Sequence, residues 1–338
     1  MDALAALHNT DQVTALVIGD VMLDSYLVGH VNRISPEAPV PVVDVKMREQ
    51  RLGGAANVVK NLVALGAKVH LSAVIGEDAA GNEIKTLLQN MNVQTNGLIT
   101  CSDRPTPVKT RIISNGQQLL RVDEEQTHGI EESQSLELIN HCERILKEER
   151  IDVVIFEDYD KGTLTTEVIE RIIQCCSKLN ILTAVDPKFR NFRSYQGVTL
   201  FKPNFKELAE GLGIAIHKSY DESLQLSIKQ LHTLLQTKLS MVTLSDRVVS
   251  VSAPDRGVEF KRIPAFEREI TDVSGAGDAV IAVASVLLAL EVPIQELAAV
   301  SNLAGGLVCE RVGVVPVDRM ELLNEWELYL SKINTPLT

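Results

Sequence analysis

Short apolar runs alternate with segments of helical spacing along much of the chain. Residues 15–21 are rich in Val and Ile and break at Gly19, as a buried strand does where it meets a functional loop. A helix is predicted next at 54–65, ended by Gly66, and a strand follows at 68–75. Further helices and strands are predicted at 133–149, 153–156, 165–179 and 181–185. This alternation predicts an α/β fold with a mostly parallel, helix-flanked sheet.

Two stretches interrupt the alternation, 26–51 and 106–123. They contain Val- and Pro-bearing segments without helical period, and 40–45 and 108–113 have the pattern of exposed or edge strands. We expect a small β-sheet lid that projects from the main sheet; the alternative is a pair of ordinary hairpins. Because no repeat, low-complexity tract or charged linker marks a second domain, residues 1–338 are predicted to form one domain.

Composition narrows the class of protein. The chain has 338 residues, of which 45% are hydrophobic and 23% charged, as in a soluble globular enzyme. Its net charge of −12 and the lack of a Lys/Arg run argue against a nucleic-acid partner. Five cysteines without metal-ligand spacing indicate reduced thiols. We find no signal peptide and no apolar run long enough to span a membrane, so a cytoplasmic location is expected.

The segment 272–278, DVSGAGD, precedes an apolar helical run. Its glycines leave the N–H groups of a helix start approachable, which suits the charge that develops on a transferring phosphoryl group. We predict an anion hole formed by Gly275, Ala276 and Gly277. Asp278 in the same turn is the predicted catalytic base, placed to take a proton from a sugar hydroxyl. A lone motif of this kind equally fits a capped helix after a turn.

A second motif, GGAAN at 53–57, stands at a predicted helix start. With both motifs in this order, the chain resembles the ribokinase family of carbohydrate kinases along essentially its whole length. The resemblance implies a central, mostly parallel sheet with flanking helices and a small β-sheet lid. The blocks GDVMLD (19–24), RISPEAPVPVV (33–43) and QQLLRVD (117–123) are similar, more specifically, to the kinase domain of bacterial ADP-heptose synthesis.

That closer resemblance implies a reaction and its partners. The ATP γ-phosphoryl group would pass to the anomeric hydroxyl of D-glycero-β-D-manno-heptose 7-phosphate, giving the 1,7-bisphosphate used for lipopolysaccharide core. In many bacteria this kinase domain is fused to an adenylyltransferase with an H-x-G-H motif. The seven histidines here form no such motif, so no adenylyltransferase domain is expected and the pathway would use a separate one.

The substrate side is assigned partly from the resemblance and partly from strand alternation. The resemblance gives the sugar-binding residues as Asp24, Gly53, Gly54 and Asn57. A carboxylate accepts hydrogen bonds from sugar diols, and the glycines allow close approach and lid hinging. The existing phosphate is expected at Lys109, Arg111 and Arg121, with Gln118 as a neutral donor. Alternation puts Lys109 and Arg111 on one strand face, although such charges are often only solvated.

Two further cations, Lys161 and Lys188, lie in the loops after two successive predicted strands. These loops are at the edge where α/β sheets bind ligands. Lys161 is expected near the substrate phosphate and Lys188 near the nucleotide. Related chains usually carry Ser where Glu157 stands and Ala where Asp160 stands, and the extra carboxylates would weaken anion binding. As surface lysines, the two cations would need no functional explanation.

The nucleotide and metal residues come from the resemblance. Asn204 and Glu207 match an N-x-x-E motif that organises Mg²⁺ largely through water, although the same spacing suits a helix cap. The expected nucleotide-binding residues are Lys188, Asn204, Thr243, Ser245, Gly275, Gly277, Asn302 and Gly306. Asp272 and the turn at 312–313 resemble a monovalent-cation loop, which implies K⁺ as an optional second cation.

Alternatives remain open at this point. A kinase for another sugar, such as fructose 6-phosphate or a nucleoside, fits the same fold, and so does a non-catalytic sugar-binding regulator. The intact motif at 275–278 argues against the regulator. We also expect a homodimer in which the lids pair, because the apolar segment at 40–45 carries few charges and such edges are normally covered. A monomer with a self-covering lid is the alternative.

Overall fold

The computed structural model describes residues 1–215, 221–244, 248–264, 266 and 268–334. The helices are α1 (Ala3–His8), α2 (Ala55–Leu65), α3 (Ala79–Asn90), α4 (Glu132–Glu148), α5 (Thr166–Leu179), α6 (Phe205–Leu212), α7 (Asp221–Leu235), α8 (Ala276–Ala289), α9 (Ile294–Cys309) and α10 (Arg319–Asn334). The strands are β1 (Thr14–Gly19), β2 (Val21–Ile34), β3 (Pro41–Gly54), β4 (Lys68–Gly76), β5 (Leu98–Cys101), β6 (Val108–Ser114), β7 (Gln117–Glu124), β8 (Val153–Glu157), β9 (Leu182–Asp186), β10 (Leu200–Phe201), β11 (Leu239–Thr243), β12 (Val249–Ala253) and β13 (Val258–Ile263).

The central sheet is mostly parallel, which confirms the predicted fold class. Within the described residues it has nine strands in the order β13-β12-β11-β10-β9-β8-β1-β4-β5. The strands from β5 to β11 along this order pair in parallel, and β12 and β13 continue it antiparallel. Parallel strands share one carboxyl edge, so the loops after β1, β8, β9 and β10 meet there.

The sheet is buried on both faces. Along β1, Ala15 and Val17 belong to the core that includes α2 and α8, whereas Leu16 and Ile18 belong to the core that includes α4 and α5. A strand covered on both faces needs apolar residues at successive positions, which explains its uninterrupted apolar run. No helix of the described residues has both the length and the apolar character that crossing a membrane requires. All five cysteines are buried thiols, and none forms a disulfide.

The two interrupting stretches join into one small sheet, here called the lid sheet, in the order β3-β2-β6-β7. β2 pairs antiparallel with β3, and β6 with β7, so each stretch is a hairpin. The hairpins are not separate, because β2 and β6 pair in parallel. Of the two segments predicted as exposed or edge strands, 40–45 overlaps the edge strand β3, whereas 108–113 belongs to β6, which is not an edge. β6 lies inside the sheet, covered by a strand far away in sequence.

Candidate active site

The first turn of α8 lies at the carboxyl edge of the central sheet. Gly275 precedes the helix in the left-handed conformation, with φ of 78°, and no side chain of the described residues caps the helix start. A Cβ on Gly275 would lie 2.9 Å from the Asn57 amide nitrogen, so glycine keeps this approach open. Uncapped N–H groups at a helix start attract anions. The backbone at Gly275, Ala276 and Gly277 is therefore compatible with the predicted anion hole.

Asp278 is buried in this turn, with 4% of its surface exposed. The Asn57 side-chain amide donates to its Oδ2 at 2.5 Å, and the Tyr159 hydroxyl donates to its Oδ1 at 2.7 Å. Asn57 lies in the first turn of α2, and this helix begins directly after the two glycines that end β3. The structure thus brings together the two sequence motifs, and it adds Tyr159, which sequence reasoning missed. The available signal was a phenol two residues beyond the end of β8.

The environment makes Asp278 a stronger base than an ordinary aspartate. Burial raises the pKa of this carboxyl, and the negative charge of Asp186 adds to the rise. The hydrogen bonds from Asn57 and Tyr159, together with the charge of Lys202, lower the pKa by less than burial raises it. A buried carboxylate with a raised pKa suits general-base work.

Buried charges surround the turn. The Lys202 ammonium pairs with Asp186 at 2.7 Å, and both are nearly inaccessible. A Cβ on Gly277 would lie 3.8 Å from Lys202 Nζ and 3.4 Å from Asp186 Oδ2, so this ion pair borders the anion hole. Burial opposes the charge of Lys202, but Asp186 and Glu207 outweigh burial and raise its pKa. Lys202 is thus a second neighbour of the site that the sequence prediction missed.

Glu157 ends β8 in register with Asp186 at the end of β9. Its side chain is buried, and its Oε2 has no hydrogen-bond partner among the described residues. Burial, with the charges of Asp186 and Asp278, raises the pKa of Glu157 well above its ordinary value. A raised pKa disfavours the charged form of Glu157, which is the form that would oppose anion binding.

Asn204 and Glu207 form a reciprocal helix cap at the start of α6. The Asn204 side chain accepts from the Glu207 amide at 2.9 Å, and the Glu207 carboxylate accepts from the Asn204 amide at 2.8 Å. The other Glu207 oxygen contacts the Lys188 ammonium. The described residues hold no group of three or more acidic, His or Cys side chains arranged to bind a metal ion. Each of the three side-chain oxygens thus already has a partner within the protein, and a divalent cation would reach them through its bound waters.

Lys188 contacts both Glu207 and the ring of Tyr159. Its ammonium stands 5.2 Å from the centre of the Tyr159 ring, within cation–π range. Burial lowers the pKa of Lys188, but Asp186 and Glu207 raise it by more, so the side chain stays charged. Lys188 therefore connects the Glu207 cap to the tyrosine that contacts Asp278.

Asp20 organises the loop after β8. One carboxylate oxygen accepts from the backbone amides of Tyr159 at 2.9 Å and Lys161 at 3.0 Å, and the other from Thr163 at 3.0 Å. The side chain is 1% exposed. Asp20 is thus a structural residue that holds the loop carrying Tyr159 and Lys161.

On the lid side, Asp24 is buried and its Oδ1 contacts the Arg111 guanidinium. A Cβ on Gly53 would lie 2.5 Å from the other Asp24 oxygen, and one on Gly54 would lie 2.3 Å from the Asp20 carbonyl. Both glycines are therefore required sterically, and Gly54 also has a positive φ of 59°. Arg111, which is predicted to meet the substrate phosphate, pairs with the predicted sugar carboxylate.

The other residues predicted to bind the substrate phosphate are Lys109, Lys161, Arg121 and Gln118. Lys109 and Lys161 are bridged by Glu125, at 2.9 and 2.7 Å, and all three side chains are largely buried. Arg121 is half exposed and pairs with Asp123. Strand register puts Gln118 opposite Ile113, towards the far end of the β6–β7 hairpin. The structure thus brings Lys109 and Lys161 together, and Asp123, which also lies 3.2 Å from the Lys109 ammonium, links Arg121 to Lys109. Glu125 was not predicted.

A cleft of about 220 Å³ opens on the other side of α8. Its lining is mostly apolar and includes the predicted nucleotide residues Thr243, Gly277, Asn302 and Gly306. Ser245 lies outside the described residues. A hollow of about 260 Å³ beside Thr199 and Lys238 lies at the opposite strand ends and contains none of these groups.

Asp272 ties two turns together beside the anion hole. Its oxygens accept from the Ser274 amide at 2.9 Å and the Gly313 amide at 2.8 Å. Burial would raise the pKa of Asp272, but these hydrogen bonds outweigh burial and hold it below the ordinary value. The predicted link between Asp272 and the turn at 312–313 is therefore a direct contact.

The chain is similar to known proteins over most of its length. The pattern of the pfkB family carbohydrate kinase matches residues 14–319. The chain is 41% identical over 320 residues to the bifunctional protein HldE of Nitratiruptor sp., covering 95% of this chain and 66% of that protein. It is also 41% identical over 307 residues to HldE of Wolinella succinogenes, covering 91% and 63%. The chain thus spans just under two thirds of the length of these relatives.

Solved structures agree on the fold. Phosphofructokinase-2 from Escherichia coli in complex with potassium superposes with a TM-score of 0.76 at 18% identity, covering 94% of this chain and 99% of that one. Arabidopsis thaliana ribokinase complexed with ribose and ATP gives 0.69 at 17% identity, covering 92% and 98%. At such identities the likeness extends to the fold alone.

Proposed function

Because the chain belongs to the pfkB family of carbohydrate kinases, we propose that it phosphorylates D-glycero-D-manno-heptose 7-phosphate at the anomeric hydroxyl, using ATP. The observation that carries the chemistry is Asp278, a buried carboxylate at an uncapped helix start between the lid sheet and an apolar cleft. The choice of sugar is supported by the blocks at 19–24, 33–43 and 117–123 and by the HldE relatives.

The proposed step is a direct phosphoryl transfer. Asp278 accepts the proton of the anomeric hydroxyl as the sugar oxygen forms its bond to the γ-phosphorus. The bond from that phosphorus to the bridging oxygen breaks, and ADP leaves with the electron pair. The N–H groups at Gly275–Gly277 and the nearby Lys202 ammonium stabilise the charge on the transferring group.

The sugar and its phosphate are proposed to bind under the lid sheet. Asp24 accepts hydrogen bonds from sugar hydroxyls, and Asn57 completes the sugar site beside Asp278. The bridged pair of Lys109 and Lys161 takes the 7-phosphate, which replaces Glu125 between the two ammonium groups. Arg121 and Gln118 add donors from β7, on the same strand face as Lys109.

The nucleotide is proposed to occupy the cleft at Thr243, Asn302 and Gly306, with Lys188 near its phosphates. Mg²⁺ bound with ATP would be held through water by Asn204 and Glu207, and it supplies charge neutralisation at the phosphates. Gly275 and Gly277 approach the transferring phosphate, and Asp272 orders the turns that a K⁺ ion would occupy.

We extend the proposal to the assembly and setting of the protein. Ile34, Val40, Leu120 and Val122 expose large apolar side chains on the lid sheet, which supports a homodimer formed through the lids. Residues 1–338 act as one kinase domain, with 26–51 and 106–123 as its lid. A cytoplasmic location follows from the need for ATP, and an adenylyltransferase activity, separate from this domain, would consume the product.

The test is ADP release with a panel of sugars, with the product identified by ³¹P NMR. Heptose 7-phosphate should give the highest kcat/KM and a new anomeric phosphate resonance, while unphosphorylated heptose should be a poor substrate. Preference for fructose 6-phosphate would assign a different sugar. If no sugar is phosphorylated, the kinase proposal is wrong. Asp278→Asn is the matched control for contaminating kinases.

A further inference from the structure

Tyr159 contacts the proposed catalytic base, Asp278. Its hydroxyl donates to Asp278 Oδ1 at 2.7 Å, while Asn57 donates to Oδ2 at 2.5 Å. Both oxygens of the proposed base are therefore held, from two different elements. A carboxylate has about four acceptor positions, so these two donors leave room for a sugar hydroxyl.

The hydroxyl is not needed to hold its own loop. The backbone amide of Tyr159 is fixed by Asp20 at 2.9 Å, and the next bonds of the loop go to the same carboxylate. The ring is held separately by Lys188, whose ammonium lies 5.2 Å from the ring centre. Backbone and ring thus have their own supports, and the hydroxyl is committed to Asp278.

The hydroxyl also remains a donor at every working pH. Burial and the charge of Asp278 raise the pKa of Tyr159 well above its ordinary value. A phenol that stays protonated stabilises the ionised carboxylate and restricts its rotation.

We infer that Tyr159 is a positioning residue that holds the Asp278 carboxylate in the orientation that accepts the sugar proton. This inference rests on the proposed function and deepens it. Tyr159 takes no proton and touches no reacting atom. It acts through Asp278, so its removal should change the ionisation of the base as well as the rate.

The test is the pH dependence of kcat/KM for Tyr159→Phe, which keeps the ring and its contact with Lys188. The variant loses a hydrogen bond to the charged Asp278 carboxylate. The acid limb of the pH profile of kcat/KM should therefore move to higher pH by about one to two units. KM for ATP should stay within about twofold, because Asp278 acts in the transition state.

The matched control is Tyr195→Phe. Tyr195 is also buried and donates to a buried carboxylate, Asp158, at the same 2.7 Å. Asp158 directly precedes Tyr159, so this control weakens the same loop without removing a donor from Asp278. The control should keep the wild-type limb. If Tyr159→Phe does not fold, 3-fluorotyrosine at position 159 replaces it. Its stronger donor should move the limb downward.

Different results would overturn the proposed function and the role of Tyr159. A wild-type protein that phosphorylates no sugar overturns the proposed function. An active wild type whose Tyr159→Phe variant keeps the wild-type limb overturns the inference about Tyr159, whether or not the plateau rate falls. An equal limb shift in Tyr195→Phe also overturns it, because the effect would then be a general one.

Discussion

Replacing Asp20 by Asn should both destabilise the protein and impair catalysis. The substitution keeps the size of the side chain but removes its charge and replaces one acceptor oxygen by an NH₂ group. In the structure this carboxylate receives three backbone N–H groups, those of Tyr159, Lys161 and Thr163. An asparagine has a single oxygen, so at least one of these donors must face another donor.

The expected magnitude follows from those bonds. A hydrogen bond to a charged group contributes about 1.5–3 kcal/mol, a neutral one about 1 kcal/mol, and an unpaired buried donor costs about 1–3 kcal/mol. If the asparagine oxygen keeps the Tyr159 and Lys161 amides, two bonds are weakened and the Thr163 amide is left unpaired. The free energy of unfolding should fall by about 2–7 kcal/mol. Because the loop carries Tyr159 and Lys161, kcat/KM should also fall by about tenfold to a hundredfold.

Denaturant unfolding followed by circular dichroism measures the first effect, and steady-state kinetics on the folded fraction measure the second. Asp152→Asn is the control at the opposite end of β1, where the carboxylate receives one backbone amide, that of Thr14, at 2.8 Å. The control should cost about 1–2 kcal/mol and leave the kinetics unchanged. An Asp20→Asn variant within about 1 kcal/mol of wild type would refute the hydrogen-bond reasoning. A destabilised variant with wild-type kinetics would refute the link between loop and catalysis.

Four further predictions concern the site and the assembly. Asp278→Asn should lower kcat by about 10²–10⁴ with both substrates still bound, as measured by kinetics and calorimetry. Lys109→Ala should raise KM for the phosphorylated sugar but not for ATP, and an equal rise for both would remove Lys109 from the phosphate site. Folding raises the pKa of Glu157, so wild type should lose stability as pH rises above its unfolded value of about 4.5. Glu157→Gln should remove that loss, giving a stability advantage in unfolding experiments that grows as pH rises above about 4.5. Light scattering should give twice the chain mass of 37.1 kDa, and Val42→Glu should give the monomer; a wild-type monomer with full activity would contradict the dimer.

The features that depend on neighbouring residues were predictable from the sequence. The helix predicted at 54–65 is α2, which ends at Gly66 in the left-handed conformation that favours glycine. The strand predicted at 153–156 is β8, which is one residue longer. The helix start after Gly275 was also predicted, because glycines followed by an apolar run mark a helix boundary.

The partners of charged side chains were decided by the tertiary structure. The alternation in β6 correctly predicts that Lys109 and Arg111 share a face, but it contains no information about the strand alongside. The parallel pairing with β2 puts Arg111 on Asp24, 87 positions away, and makes β6 an interior strand. The same limit concealed Glu125 as the bridge between Lys109 and Lys161.

The sequence by itself thus determined several of the helices and strands, where the turn before α8 lies, and that Asp278 stands in the first turn of a helix. Those properties follow from backbone geometry and local hydrophobic spacing. Only the folded chain decided that Asn57 and Tyr159, 221 and 119 positions away, both donate to Asp278. Hydrogen bonds and ion pairs act over a few ångströms in space, so residues distant in sequence become partners only when sheet order brings their loops to one edge.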